Sequence, residues 1–281
     1  MKQPKTALIA LALSLSISSA NTPDLSETFF NNANSVILFL GDSITADGGY
    51  IRDLQALLLK KFPKLKARFV NVGISGESMP GLMKRLDGVL STNKPSLVFS
   101  TYGMNDGGYN PLNAANLKAY HDSVATLLAK VTKAGAPLIL MTPTAFDSLT
   151  AVPLIVNAPP YYFKSFFRGY DSVLTAYGNS VFTFKSSTQM IIDIQNPLRV
   201  WAKAQRRTNP TFAWTAEGVH PTPAGHQVMA DAIFAALFPP PSDLRIAQPS
   251  RTIRTLAGRG EFSVNGARSR QQAHPGPVFA F

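Results

Sequence analysis

The sequence predicts an α/β fold, a three-layer α/β/α sandwich around a central, mostly parallel five-stranded sheet. Three observations carry this. Short apolar runs are continuous rather than alternating, as strands covered on both faces must be. Each run is followed by a helix-like segment, and repeated β-α units imply a parallel sheet with helices on both sides. The chain has 281 residues, 45% of them hydrophobic, which suffices for one domain with a sizeable core and does not demand two. Charged residues make up only 15%, which argues against disorder for the bulk of the chain.

Ser35 to Leu40 (SVILFL) is the first predicted strand. Tyr50 to Phe62 follows as an amphipathic helix with Ile51, Leu54, Leu57 and Leu58 on one face. Arg68 to Val72 is the second strand and Met79 to Leu90 a short helix. Ser96 to Tyr102 is the third strand, and Asn113 to Ala134 is a long helix stopped by Gly135. Pro137 to Met141 is the fourth strand. Asp147 to Pro160, rich in Pro, Ala and Ser, breaks the rhythm as a long surface loop placed to cover a site. Tyr161 to Tyr177 reads as a helix, Val181 to Lys185 as the fifth strand, and Thr188 to Lys203 as a helix interrupted by Pro197. Pro223 to Phe238 is the last helix, with proline in its first turn, and Pro239-Pro240-Pro241 ends the domain.

The two ends read differently from the middle. Lys2 and Lys5, an apolar run from Thr6 to Ile17 and the small residues Ser18-Ser19-Ala20 form a signal-peptide pattern over residues 1–20, with cleavage near Ala20. The run of about 12 residues is too short to span a bilayer, and no later run is long enough, so no transmembrane segment is expected. The expected location is secreted or periplasmic. Residues 21–34 are a lead-in, 35–241 the folded domain and 242–281 a basic, disordered tail. The formal net charge is +11, of which +2 belongs to the leader and +4 to the tail, leaving +5 on the core. The tail arginines are spread out without interleaved aromatics, so no nucleic-acid partner is expected. Cysteine is absent, which excludes disulfides, a thiol nucleophile and thiolate metal sites.

Ligands of such sheets bind beyond the carboxyl ends of the strands. Gly41-Asp42-Ser43-Ile44-Thr45 ends the first strand and can expose the Ser43 hydroxyl there. Gly73-Ile74-Ser75-Gly76-Glu77-Ser78, after the second, suits a backbone that approaches a ligand closely. Gly103-Met104-Asn105-Asp106 places the Asn105 amide at the same edge. Before the last helix, Glu217-Gly218-Val219-His220-Pro221 sets a carboxylate three residues ahead of an imidazole. Such a pair can hold one ring nitrogen protonated and leave the other to take a serine proton. His121, His226 and His274 read as structural. Tyr161, Tyr162, Phe163, Phe166, Phe167 and Tyr170 read as helix packing or as the lining of a substrate pocket.

These four blocks, in this order from about Ser35 to Phe238, resemble the SGNH (GDSL) hydrolases. The resemblance implies a flavodoxin-like sheet of SGNH type and a serine esterase or lipase. It implies that Ser43 is the nucleophile and His220 the base. The oxyanion hole would be the backbone N–H groups of Ser43 and Gly76 with the side-chain amide of Asn105. No cofactor or metal is implied. The family pattern usually places Asp three residues before the histidine, and this chain has Glu217. Glu217 either orients His220 as the third triad member or leaves a Ser-His dyad. The expected substrate is an acetyl or short acyl ester of a sugar or other alcohol, presented as a small molecule, glycan or lipid. A non-catalytic carbohydrate- or surface-binding module and an acyltransferase remain as alternatives. An α/β-hydrolase elbow fails, since Gly76-Glu77-Ser78-Met79-Pro80 lacks the final glycine of G-x-S-x-G. The sequence leaves the oligomeric state open.

Overall fold

The computed structural model describes residues 23–185 and 190–239. The signal peptide expected over 1–20 and the tail expected over 242–281 lie outside the described residues.

The strands are β1 (Val36–Gly41), β2 (Arg68–Asn71), β3 (Leu97–Thr101), β4 (Leu138–Met141), β5 (Ile155–Val156), β6 (Phe166–Phe167) and β7 (Met190–Ile192). The helices are α1 (Glu27–Phe30), α2 (Ser43–Asp47), α3 (Gly49–Lys61), α4 (Met79–Leu82), α5 (Leu86–Asn93), α6 (Ala114–Lys133), α7 (Tyr170–Phe182), α8 (Gln195–Gln205) and α9 (Pro223–Leu237). Five strands form one sheet in the order β2-β1-β3-β4-β7, every pair parallel. β5 and β6 form a separate two-stranded piece. Every residue of β1, β3 and β4 is buried, which explains their unbroken apolar sequences. Helices α3 and α8 each pack on α9; α4, α5 and α7 pack on α6. Among the described residues no helix is long and apolar enough to cross a membrane.

This order reverses direction between β1 and β3. The chain leaves β1 to build β2 on one side and returns to build β3 on the other, opening a crevice at their carboxyl ends.

Four expected elements differ from those observed. Val181 to Lys185 is not the fifth strand: α7 runs through Phe182, and β7, at Met190–Ile192, pairs with β4. Of the helix expected from Thr188, Thr188 and Gln189 lie outside the described residues, Met190–Ile192 form β7, and the helix itself begins at Gln195. Thr142 Oγ1 and Asp193 Oδ1 accept the N–H groups of its first residues, and Pro197 falls in its first turn, where proline is tolerated. The helix expected from Tyr161 starts at Tyr170. Before it, Tyr162 bridges Ser165, and Lys164 takes a left-handed φ of 70° that no helix accommodates. The helix expected over Met79 to Leu90 is two, α4 and α5. The side chain of Arg85, between them, is drawn to Glu77 and to the carbonyl of Val72.

Candidate active site

Ser43 opens α2 directly beyond β1. A Cβ on Gly41 would lie 2.0 Å from Thr45 Oγ1 and 3.0 Å from the Thr101 carbonyl, so only glycine allows this turn. Asp42 caps α2, its Oδ1 accepting the Ile44 N–H at 3.0 Å. Ser43 is thereby the first helical residue, and a helix start leaves that N–H without an intrahelical partner.

His220 sits on a tight loop closed by a bridge between Thr215 and Pro221. Inside it the Ala216 N–H donates to the His220 carbonyl at 3.0 Å and the Gly218 N–H to Thr215 Oγ1 at 2.9 Å. The fold brings His220 Nε2 to 2.8 Å from Ser43 Oγ across 177 residues of sequence. Nδ1, on the far side of the ring, hydrogen-bonds to Glu217 Oε1, which also accepts the His220 backbone N–H at 3.4 Å. One oxygen of the Glu217 carboxylate thus meets both the ring and the backbone of His220. The loop rests on Asp147, whose N–H donates to the Gly218 carbonyl at 2.9 Å. The fully buried Asp147 carboxylate accepts from Arg206 at 2.5 Å and Thr150 at 2.6 Å.

Gly76 has a φ of 77°, and nothing lies within 4 Å of where its Cβ would be. Glycine is required there for the backbone, which is left open to the crevice. Beside it, Asn105 donates one amide hydrogen to the Glu77 carbonyl at 3.2 Å. Tyr109 donates its hydroxyl hydrogen to Asn105 Oδ1 at 2.8 Å. The second Nδ2 hydrogen has no partner among the described residues, and Asn105 lines the crevice. The Glu77 carboxylate, which anchors this loop, accepts from Arg85 at 2.7 and 2.5 Å and from the Tyr102 hydroxyl at 2.6 Å. Asp106 ties the same layer together, accepting the N–H groups of Met79 at 2.8 Å and Gly103 at 2.9 Å. Burial pushes the Asp42 and Asp106 carboxyls up to about 7, against the backbone N–H groups that pull them down.

Gly76, Asn105, Tyr109 and Phe163 line a cavity of about 380 Å³ beside Ser43 and His220. The Phe163 ring meets His220 edge-on at 5.7 Å. A larger groove of about 710 Å³, near Leu90, Lys94 and Lys133, lies at the amino ends of β3 and β4, and its walls hold neither Ser43 nor a histidine. Among the described residues no group of three or more His, Cys, Asp or Glu is placed to hold a metal ion.

The structure thus brings together all five residues the sequence singled out: Ser43, Gly76, Asn105, Glu217 and His220. It divides the aromatic cluster: Phe166 and Tyr170 are core, Phe163 lines the cavity and Tyr162 is exposed. No residue of the loop from Asp147 to Pro160 lines the cavities at Ser43; that loop buttresses the Glu217–His220 loop instead of covering the site. Sequence reasoning missed Tyr109. Its signal was its place four residues after Asn105, close enough to return to the amide.

Comparison with known proteins follows the same line. The profile of the GDSL-like lipase/acylhydrolase family matches residues 39–228. The chain is 30% identical over 145 residues to the esterase TesA of Pseudomonas aeruginosa, a match covering 50% of this chain and 66% of that one, just under two thirds. It is 27% identical over 218 residues to an acetylxylan esterase of Geobacillus stearothermophilus, covering 70% of this chain and 90% of the other. Among solved structures, the acetylxylan esterase Axe2 of that organism aligns with a TM-score of 0.56 at 25% identity, over 72% of this chain and 94% of its own. LAE5, an alpha/beta hydrolase enzyme from the metagenome of Lake Arreo, aligns with the same score, identity and coverage.

Proposed function

The chain belongs to the GDSL-like lipase/acylhydrolase family and is a carboxylic ester hydrolase, and we propose that it works through an acyl-enzyme formed on Ser43. One observation carries the proposal: Ser43 Oγ lies 2.8 Å from a histidine nitrogen whose opposite ring nitrogen is held by a carboxylate. Glu217 keeps the proton on Nδ1, so Nε2 presents its lone pair to the serine hydroxyl.

In the first half-reaction His220 Nε2 takes the Ser43 proton as Oγ attacks the ester carbonyl carbon. The oxyanion forms against the N–H groups of Ser43 and Gly76 and the Asn105 amide. The bond to the leaving oxygen then breaks, and His220 returns the proton to the departing alcohol. Water repeats the sequence, freeing the acid and restoring Ser43. The Ser43–His220 hydrogen bond supports this reading over a non-catalytic binding module. Glu217, joined to Nδ1, favours a triad over a dyad.

The proposed substrates are acetyl or short acyl esters of sugars or other alcohols. A cavity of about 380 Å³, walled by Tyr109 and Phe163, suits a small acyl group, and one relative is named for acetylxylan. The leader pattern of residues 1–20 supports a reaction outside the cytoplasm.

Hydrolysis of p-nitrophenyl esters of increasing acyl length, by the wild type and by Ser43→Ala, tests the proposal. Activity that falls with chain length and vanishes in the variant is expected. Activity that survives in Ser43→Ala would refute the acyl-enzyme on that residue.

A further inference from the structure

Ser43 and His220 border two cavities, and the second is chemically unlike the first. It measures about 370 Å³ and is bounded beyond that pair by Ile44, Ala46, Asp47, Ser75, Pro221 and His226. Where the first is walled by aromatic rings, this one presents polar groups that the fold leaves unspent.

His226 is 4% exposed, its ring stacked on Tyr50 at 6.4 Å. Its Nδ1 accepts the Tyr50 N–H at 3.2 Å, so in the neutral ring the proton sits on Nε2. Burial lowers the pKa of the ring and keeps it neutral. Among the described residues the Nε2–H makes no hydrogen bond; Asp47 Oδ1 stands 3.5 Å away, too far for a good one. Asp47 Oδ1 accepts the Gly49 N–H at 3.0 Å and faces Arg52 at 3.5 Å. Asp47 Oδ2 and the Ser75 hydroxyl have no hydrogen-bond partner among the described residues. One cavity therefore gathers a fixed donor, a charged acceptor and a hydroxyl, all opening onto Ser43 and His220.

We propose that this second cavity receives the alcohol half of the ester and selects a neutral polyol, with Asp47 and His226 binding neighbouring hydroxyl groups. The inference rests on the esterase reading above. That reaction fixes which half goes where. The departing oxygen must end within reach of His220 Nε2, which both cavities offer. The oxyanion donors Gly76 and Asn105 line only the first cavity, and its aromatic wall suits the acyl chain. A hydroxylated alcohol is left with the polar side, where neighbouring hydroxyls meet the His226 Nε2–H and the unpartnered Oδ2 of Asp47. A cationic alcohol fits poorly, because Arg52 already stands beside the carboxylate.

Three acetyl esters that share the acyl group isolate the alcohol: ethyl acetate, a monoacetylated methyl β-xyloside and acetylcholine. The wild type is expected to favour the xyloside acetate over ethyl acetate in kcat/KM by about tenfold or more, the scale of one hydrogen bond to a charged group. Asp47→Ala is expected to bring that ratio close to one. Asp47→Asn keeps an oxygen for the Gly49 N–H, and its ratio is expected to lie between the two. Fluorophosphonate labelling of Ser43 in each protein reports whether the nucleophile is intact. Labelled proteins that hydrolyse both esters with the same ratio in wild type and Asp47→Ala overturn the subsite alone. A preference for acetylcholine that Asp47→Ala abolishes makes the cavity a cation site and overturns the polyol. A folded wild type that neither labels nor turns over any ester overturns the esterase reading and this inference with it.

Discussion

Asn105 can serve an oxyanion only if its amide faces the crevice nitrogen-first, and Tyr109 decides that. A hydroxyl hydrogen donated to Oδ1 at 2.8 Å leaves Nδ2 pointing at the Glu77 carbonyl and the crevice. Asn105→Ala should lower kcat by about 10²–10³ with little change in KM, the loss seen when one oxyanion donor is removed. Tyr109→Phe should lower kcat roughly fivefold, the worth of one neutral hydrogen bond. In the Asn105→Ala background it should cost nothing further, because the two act as one unit. A double-mutant cycle in which the effects simply multiply would separate Tyr109 from the amide. Glu217→Gln is a different probe. It keeps the side chain's shape but puts a neutral amide at Nδ1, which no longer enforces the tautomer. A fall in kcat on the order of 10³–10⁴ is expected, and a fall under tenfold would make the site a Ser-His dyad. The blocks that hold Ser43, Gly76 and Asn105 are legible in the sequence because each follows a strand, and the block of His220 because a carboxylate precedes the histidine by three residues just ahead of the last helix. For Glu217 the sequence leaves a triad and a Ser-His dyad open, because a one-methylene difference is resolved only by the closure of the loop that holds it.

The same contrast governs whole elements. β1, β3 and β4 were readable because burial on both faces forces a continuous apolar run. β7 was not. Three residues, Met190–Ile192, carry too little pattern, while Val181 to Lys185 has strand-like composition yet falls at the end of α7, where Val181 packs into the core. The composition after β4 predicts a long surface loop that could cover a site, but composition says nothing about what a loop touches. Asp147 explains its placement. Its fully buried carboxylate binds Arg206, and its backbone bears on Gly218, one residue beyond Glu217. Asp147→Ala should destabilise the fold by about 3 kcal/mol, the lower end for breaking a buried pair, since Arg206 keeps some solvent. It should also loosen the loop that carries the base. Chemical denaturation and kcat should fall together; a variant that loses stability at unchanged kcat would confine Asp147 to the fold.

At the scale of the whole molecule, the crevice between β1 and β3 concentrates the reactive loops, and it does so by burying acids beneath them. Asp42 caps the helix that presents Ser43, and Asp106 clamps the loops after β2 and β3. Burial raises both to about 7, against about 4 for an exposed carboxylate. Between those values the folded protein holds protons that the unfolded chain has released. The stability these groups contribute is therefore complete below about pH 4, declines as the pH rises towards about 7, and is flat beyond. Asp42→Asn isolates the effect. The amide keeps an oxygen to accept the Ile44 N–H, so the cap survives, but nothing there titrates. The variant should gain on the wild type as the pH rises, by a few kcal/mol at pH 8 relative to pH 4. For a domain of this size that is roughly 5–10 °C in Tm. Calorimetry of both proteins at the two pH values decides it: a Tm difference that does not change with pH means that Asp42 is already ionised in the folded protein. Its charge would then be carried by the helix start and the surrounding N–H groups, and the pH dependence of the fold would have to come from Asp106.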